Sequence, residues 1–290
     1  MTEEQSVVLV TGASGGIGAA TARLLLDRGH DVVAHHGRRR EAADALVSHA
    51  ESAGRRCWPI QADLGEMSGV QRLVSEVDRL LVEHPSLRLT GLVNNAAKLL
   101  GPSFDAAGPD DFDLYLAINA RAPFFLTQQL SRRMTTGGSI VNVSSAGVHF
   151  SSPGDIVYAM SKAAVEALTR HAAEALAPRG IRINAVVPGF TDNGHPAFQD
   201  PAIRSYMAGF SVLDDVAAVD DVARAIGFLL SEDSRRTTGT LIDVSGGSTL
   251  GARPRTAEKI SLRSVAEGDA SHGPSTGAPA NAGDVVDADP

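Results

Sequence analysis

The sequence predicts a single doubly wound α/β domain on a parallel sheet of seven strands. Three observations lead there. Short apolar runs alternate with helical stretches from residue 7 to residue 245. The runs are apolar at consecutive rather than alternate positions, the pattern of strands covered on both faces. The first run also opens directly into a glycine-rich turn and a helix, the start of a unit whose right-handed repeats place helices on both sides of the sheet.

Taken in order, VVLVT (7–11) is a strand by its β-branched content, and the helical pattern from Ile17 to Arg28 stops at Gly29. DVVAH (31–35) and CWPIQ (57–61) are the next strands, followed by helices over 39–53 and 66–83. LTGLVNN (89–95) leads to a long helical pattern over 109–134, and SIVNVS (139–144) to another over 156–178. IRINAVV (181–187) is the sixth strand. The segment 192–215 then breaks the alternation, with Gly194, Pro196 and Pro201 around a short helix, and is expected to be a loop insertion acting as a lid. A helix over 219–231 and the strand TLIDVS (240–245) close the domain, which spans residues 1–251. Beyond Gly251 the composition shifts to Ala, Gly, Pro, Ser and Asp, so 252–290 is expected to be a disordered tail.

Composition removes several function classes. With 34 acidic and 26 basic residues the net charge is −8, which argues against a broad surface for nucleic acid. No apolar run approaches the roughly 20 residues that cross a bilayer. The acidic start MTEEQ is unlike a secretory leader, and a cytoplasmic protein without membrane attachment is expected. The single cysteine, Cys57, cannot form an internal disulfide or a multi-cysteine metal site and reads as a buried apolar residue. The nine histidines show no HExxH spacing; His149, which could line a substrate pocket, and His195 read as solvent-facing or core residues, and no metal is expected.

The turn TGASGGIG (11–18) carries Gly12, Gly16 and Gly18 between the first strand and the first helix. Glycine lets backbone N–H groups approach a pyrophosphate, and the helix N-terminus adds a partial positive charge. A bare tight turn is the alternative, but its place on the first strand of an alternating chain points to a nucleotide. YAMSK places Tyr158 and Lys162 on one face of a helix. A phenol of pKa about 10 beside an ammonium is expected to fall toward a range where it exchanges protons near neutrality. Taken alone, such a pair is commonplace on helix surfaces.

These motifs together resemble the short-chain dehydrogenase/reductase family, through TGxxxGxG at 11–18, Asp63 in QADL, Asn94-Asn95-Ala96-Ala97, the Tyr158–Lys162 pair and Pro188-Gly189. The resemblance runs from about residue 5 to residue 250 and implies a Rossmann-type sheet and an oxidoreductase. In it Gly12, Ser14, Gly16, Ile17 and Gly18 would hold the pyrophosphate, Asp63 the adenine, and Asn95, Pro188, Gly189 and Thr191 the rest of the dinucleotide. Ser145, 13 residues before Tyr158, would polarise the substrate oxygen, with Ser144 structural. Asn119 would keep a water in a proton relay to Lys162, its alternative being a polar residue that bends a helix. Lys162 would also bind the nicotinamide ribose.

HHGRRR (35–40) lies where the second strand meets the adenosine ribose. An acid there repels a 2′-phosphate and an arginine grips it. His36 and Gly37 occupy the acid's place, and no carboxylate appears between Asp31 and Glu41. NADP(H) is therefore expected over NAD(H), with Arg38 the principal contact, Arg39 a lesser one and Arg40 solvated at a helix start. The alternative is that all three merely decorate that start.

The leading functional expectation is an NADP(H)-dependent carbonyl reductase, or alcohol dehydrogenase in reverse, acting on a small molecule. The resemblance also implies a homodimer or homotetramer. A noncatalytic nucleotide-binding sensor of the same fold is the competing reading. Nucleic-acid binding through HHGRRR lacks aromatic interleaving, with only 4% of residues aromatic.

Overall fold

The computed structural model describes residues 4–99, 101–151 and 154–251. Seven parallel strands form one sheet: β1 (Gln5–Val10), β2 (Asp31–His36), β3 (Cys57–Gln61), β4 (Leu87–Asn94), β5 (Ser139–Val143), β6 (Arg182–Pro188) and, at the far edge, β9 (Leu241–Val244). Their spatial order is β3-β2-β1-β4-β5-β6-β9. The order reverses between β1 and β4, which opens a crevice above the carboxyl ends of those strands, the place where such sheets bind ligands.

Alternate residues of each strand feed two cores. On β1, Val7 and Leu9 join Leu73, Val77 and Leu80 of α3 (Met67–Glu83). Val8 and Val10 face the other way, toward Leu25 and Leu26 of α1 (Gly16–Asp27), Leu46 of α2 (Arg40–Ser52), and Ile226 and Leu229 of α8 (Val219–Leu230). Burial on both faces is why the inner strands read as continuous apolar runs, whereas the edge strands β3 and β9 keep exposed positions. At about 25 cal/mol per Å² of apolar surface, each of these leucines contributes roughly 2 kcal/mol.

The helical pattern over 109–134 is not one helix. It divides into α4 (Pro109–Leu116), a π-turn (Ala117–Arg121) and α5 (Ala122–Leu130). Pro123 has no N–H to offer the carbonyl of Asn119 four residues earlier, so the regular ladder cannot pass through this point. By contrast α6 (Ile156–Leu176) is uninterrupted.

Two short strands, β7 (Thr191–Asp192) and β8 (Ala217–Ala218), pair in parallel apart from the main sheet. Between them lie a 3-10 turn (Pro196–Gln199) and α7 (Pro201–Ala208), whose first N–H groups are capped by Asp200. This segment has its own apolar cluster of Ala197, Ile203, Met207, Ala208 and Val216. Arg204 links its two ends, reaching Asp192 at 3.0 Å and Asp215 at 3.3 Å. The tail expected over 252–290 lies outside the described residues. Among the described residues no helix is long and apolar enough to cross a membrane.

Candidate active site

The glycine turn after β1 is a cradle that side chains would fill. Gly12 and Gly16 hold φ of +66° and +52°, and a Cβ on Gly12 would lie 2.9 Å from the Ala96 Cα. A Cβ on Gly18 would fall 2.3 Å from the Gly12 carbonyl oxygen. α1 begins at Gly16 with no side-chain cap on its first N–H groups, leaving them to an anion. Ser14 is buried within the turn, and Ile17 packs from α1 onto the core. These features fit a dinucleotide pyrophosphate.

The turn is tied to its neighbours on both sides. Thr11 Oγ1 accepts the N–H groups of Asn95 and Ala96 at 2.9 and 3.0 Å, and Asn95 Nδ2 donates to the Thr11 and Gly12 carbonyls at 2.9 and 3.2 Å. From the other side, the Gly12 N–H donates to His35 Nδ1 at 3.1 Å while His35 Nε2 donates to the Ala62 carbonyl at 3.1 Å. Burial lowers the His35 pKa to about 4, so the ring is neutral with its proton on Nε2. His35 therefore joins the phosphate turn to the end of β3, beside Asp63. Asp63 is exposed and its Oδ1 accepts the Gly65 N–H at 2.9 Å.

Of the three arginines, Arg39 lies over the turn: a Cβ on Gly15 would meet its guanidinium nitrogens at 2.8 and 3.0 Å. Arg38 is exposed beside it, and Arg40 starts α2, 3.9 Å from Asp44. Pro188 ends β6, and Gly189 packs so closely on β9 that a Cβ would lie 2.8 Å from the Ser245 carbonyl oxygen. Thr191 follows in β7, with Oγ1 donating to the Gly189 carbonyl at 3.1 Å.

The tyrosine, serine and lysine meet at the carboxyl end of β5. The Ser145 side chain lies near enough to the Tyr158 hydroxyl to favour its ionised form. Lys162, 3% exposed, donates from Nζ to the Val143 carbonyl at 2.7 Å and stands 5.8 Å from the centre of the Tyr158 ring. The ammonium thus faces the ring and the strand end, and it does not lower the phenol as the sequence reading expects. Burial pushes the Tyr158 hydroxyl up to about 12, opposed by Ser145 and reinforced by Asp155 and Tyr115. Burial also pulls Lys162 down to about 8.

Asn119 sits in the π-turn at 1% exposure. Its side chain accepts the Lys98 N–H at 2.7 Å and donates to the Lys98 carbonyl at 3.0 Å and to Ser161 Oγ at 2.9 Å. Ser161 in turn donates to the Tyr158 carbonyl at 2.7 Å. Asn119 therefore joins the loop after β4 to the helix that carries Tyr158.

Known proteins share this fold. A family profile described as enoyl-(acyl carrier protein) reductase matches residues 12–249. The chain belongs to the short-chain dehydrogenase/reductase family. Among solved members, it is 40% identical to the promiscuous reductase LugOII, which catalyses keto-reduction at C1 during lugdunomycin biosynthesis, with a TM-score of 0.82 over 87% of this chain and 100% of that one. It is 38% identical to the angucycline C-6 ketoreductase LanV, solved with bound NADP, with a TM-score of 0.81 over 86% and 100%. Versicolorin reductase stcU of Emericella nidulans is 33% identical over 83% of this chain and 95% of its own. The chain is thus an enzyme of this family whose relatives include ketoreductases, and several of its solved neighbours carry NADP or NADPH.

Beside the site, Phe210 gathers an aromatic cluster, with ring centres 5.8 Å from Phe150, 5.2 Å from Phe190 and 5.2 Å from Tyr206. Phe150 follows the Ser145 turn, and Phe190 lies between Gly189 and Thr191. Sequence reasoning missed these rings because they come from three separated segments. It also missed His35, whose only signal was a polar residue at the end of an apolar strand, and Glu166, which reads as an ordinary helix carboxylate.

Proposed function

We propose that the protein is an NADP(H)-dependent carbonyl reductase that converts a ketone to a secondary alcohol, with the reverse oxidation open to it. The observation that carries this reading is the meeting of Ser145, Tyr158 and Lys162 at the strand end beside the glycine cradle. When bound, the nicotinamide supplies the hydride, and the chain supplies orientation and a proton. Ser145 holds and polarises the substrate oxygen. Tyr158, protonated at neutral pH, gives that oxygen its proton. Lys162, anchored on Val143, binds the nicotinamide ribose and recharges the tyrosine through the Asn119 carbonyl and water.

Arg38 and Arg39 favour NADP(H). The guanidinium of Arg39 against Gly15 supports it as the closer of the two to a 2′-phosphate, and the NADP-bound relatives support the same preference. The substrate class that fits is a fused-ring aromatic ketone. The aromatic cluster around Phe210 would offer flat apolar faces to it, and relatives that reduce angucycline-type and versicolorin-type compounds support that reading.

NADPH consumption with fused-ring and simple aliphatic ketones, in wild type and Tyr158→Phe, tests the proposal. Wild type should turn over fused-ring ketones, and the variant should lose about 10²–10⁴ in kcat, the range for a general acid. A wild type that binds NADPH yet is no faster than the variant would make the protein a nucleotide sensor.

A further inference from the structure

We propose that Glu166 is a positioning residue that sets Ser145 against Tyr158 by holding both ends of the segment that carries the serine. The inference rests on the roles of Ser145 and Tyr158 given above. Ser144 Oγ donates to Glu166 Oε1 at 2.7 Å, and His149 Nε2 donates to the same oxygen at 2.9 Å. Ser145 lies between these two anchors. Its Oγ accepts the Gly147 N–H at 3.2 Å, and the N–H groups of Val148 and His149 close onto the carbonyls of Ser145 and Ala146 at 3.1 and 2.9 Å. Residues 144–149 are thus a compact turn with one carboxylate oxygen binding its first and last side chains.

A carboxylate at 6% exposure is costly unless donors meet it, and Ser144 and His149 are those donors. His149 also lines a small cavity of about 150 Å³ with Val187, Leu241, Asp243 and Thr249. Asp243 is held there by the Ser245 N–H at 2.8 Å and by Thr249 Oγ1. His149 is thus tied to α6 through Glu166. Tyr158, Lys162 and Glu166 follow one another at intervals of four residues along α6. One rigid helix consequently fixes the hydroxyl, the ammonium and, through Glu166, the serine that must meet them.

Steady-state kinetics of Glu166→Ala and Glu166→Gln, with NADPH affinity measured separately, test this role. Glu166→Ala should lose tenfold or more in kcat with the NADPH Kd within twofold of wild type. Glu166→Gln should recover most of that loss, because its amide oxygen accepts the same two bonds. Ser144→Ala and His149→Ala should each cost less, and adding either to Glu166→Ala should cost nothing more. A Glu166→Ala kcat within twofold of wild type, equal losses in both Glu166 variants, or kcat and NADPH affinity falling together would overturn the role. Should Glu166→Ala fail to fold, the Ser144→Ala/His149→Ala double variant is judged by the same limits. A readout without turnover is the ¹³Cζ resonance of Tyr158, assigned among the three tyrosines with Tyr158→Phe. It should move in Glu166→Ala and stay in Glu166→Gln. If it does so in a wild type that reduces no ketone, the proposed function falls and the positioning role stands; if it stays fixed in both variants of an active enzyme, the positioning role falls.

Discussion

His35 is the residue whose removal should most directly couple stability to the nucleotide site. The ring bridges the Gly12 N–H and the Ala62 carbonyl, and it can do so only while Nδ1 is free of a proton. Its pKa falls from 6.5 to about 4 on folding, because burial opposes the charged form. A lowered value for a base means that the folded state prefers the neutral ring. The stabilisation is therefore complete above pH 6.5 and is lost as pH falls toward 4. At 1.36 kcal/mol for each tenfold change in proton affinity, the full displacement is worth about 3 kcal/mol. His35→Gln keeps a polar side chain but cannot titrate. Urea unfolding of both proteins at fixed concentration between pH 7.5 and 4.5 should show the stability advantage of wild type shrinking by about 2 kcal/mol, most of it below pH 6. Other acid-titrating groups cancel in the difference. An advantage that stays constant across this range would refute the account, since it would mean that the ring does not hold its neutral bridge.

Three further outcomes follow from the same geometry. Arg39→Ala should raise the NADPH Kd at least tenfold and change the NADH Kd by less than twofold in a fluorescence titration, with Arg38→Ala acting in the same direction; equal losses for both nucleotides would remove the phosphate role. Gly18→Ala puts a Cβ 2.3 Å from the Gly12 carbonyl oxygen, and the neighbour is backbone that cannot swing aside. It should cost about 1–3 kcal/mol of stability and weaken NADPH binding, as thermal melts and titration would show. Lys162→Met should abolish turnover yet stabilise the nucleotide-free chain at pH 7. Burial lowers Lys162 from 10.5 to about 8, so keeping it charged costs up to about 3 kcal/mol there, partly offset by its bond to Val143. The net gain of about 1–2 kcal/mol in urea melts should fade as pH rises from 8 toward 10.5.

The fold was legible in the sequence wherever a strand is covered on both faces, because burial alone then dictates an apolar run. β2, buried along its whole length, begins where the pattern begins, at Asp31. The break in the 109–134 helix was not visible as such, since a π-turn adds one residue without disturbing the apolar spacing; Pro123 and Asn119 were its only local marks. Strands of two residues such as β7 and β8 carry no period to detect. At the site, glycine spacing and the Ser145–Tyr158 interval are local and could be read directly. The position of Arg39 over Gly15 could not, because the path of the chain through Gly37 decides which guanidinium lies there. Glu166 stayed hidden for a related reason: a carboxylate in a helix reads as solvent-facing unless the donors that bury it, Ser144 and His149, are known to lie above it.

The placement of Lys162 and Glu166 explains how two buried opposite charges one helical turn apart remain separate. Among the ion pairs of the described residues they are not partners, although helical spacing of this kind ordinarily favours pairing. Consecutive residues at the end of β5 divide them: Val143 takes the ammonium through its carbonyl and Ser144 takes the carboxylate through its hydroxyl. A direct ion pair would neutralise the ammonium and swing it from the ring of Tyr158 toward the C-terminal part of α6. With Glu166 committed to Ser144 and His149, the ammonium stays on the tyrosine side, and among the described residues its one hydrogen bond is to the neutral Val143 carbonyl. The same residue that would fix Ser145 thereby also keeps Lys162 available. Glu166→Ala should accordingly disturb the serine and leave the lysine where it is, whereas pairing in the native state would have made the lysine the first group to move.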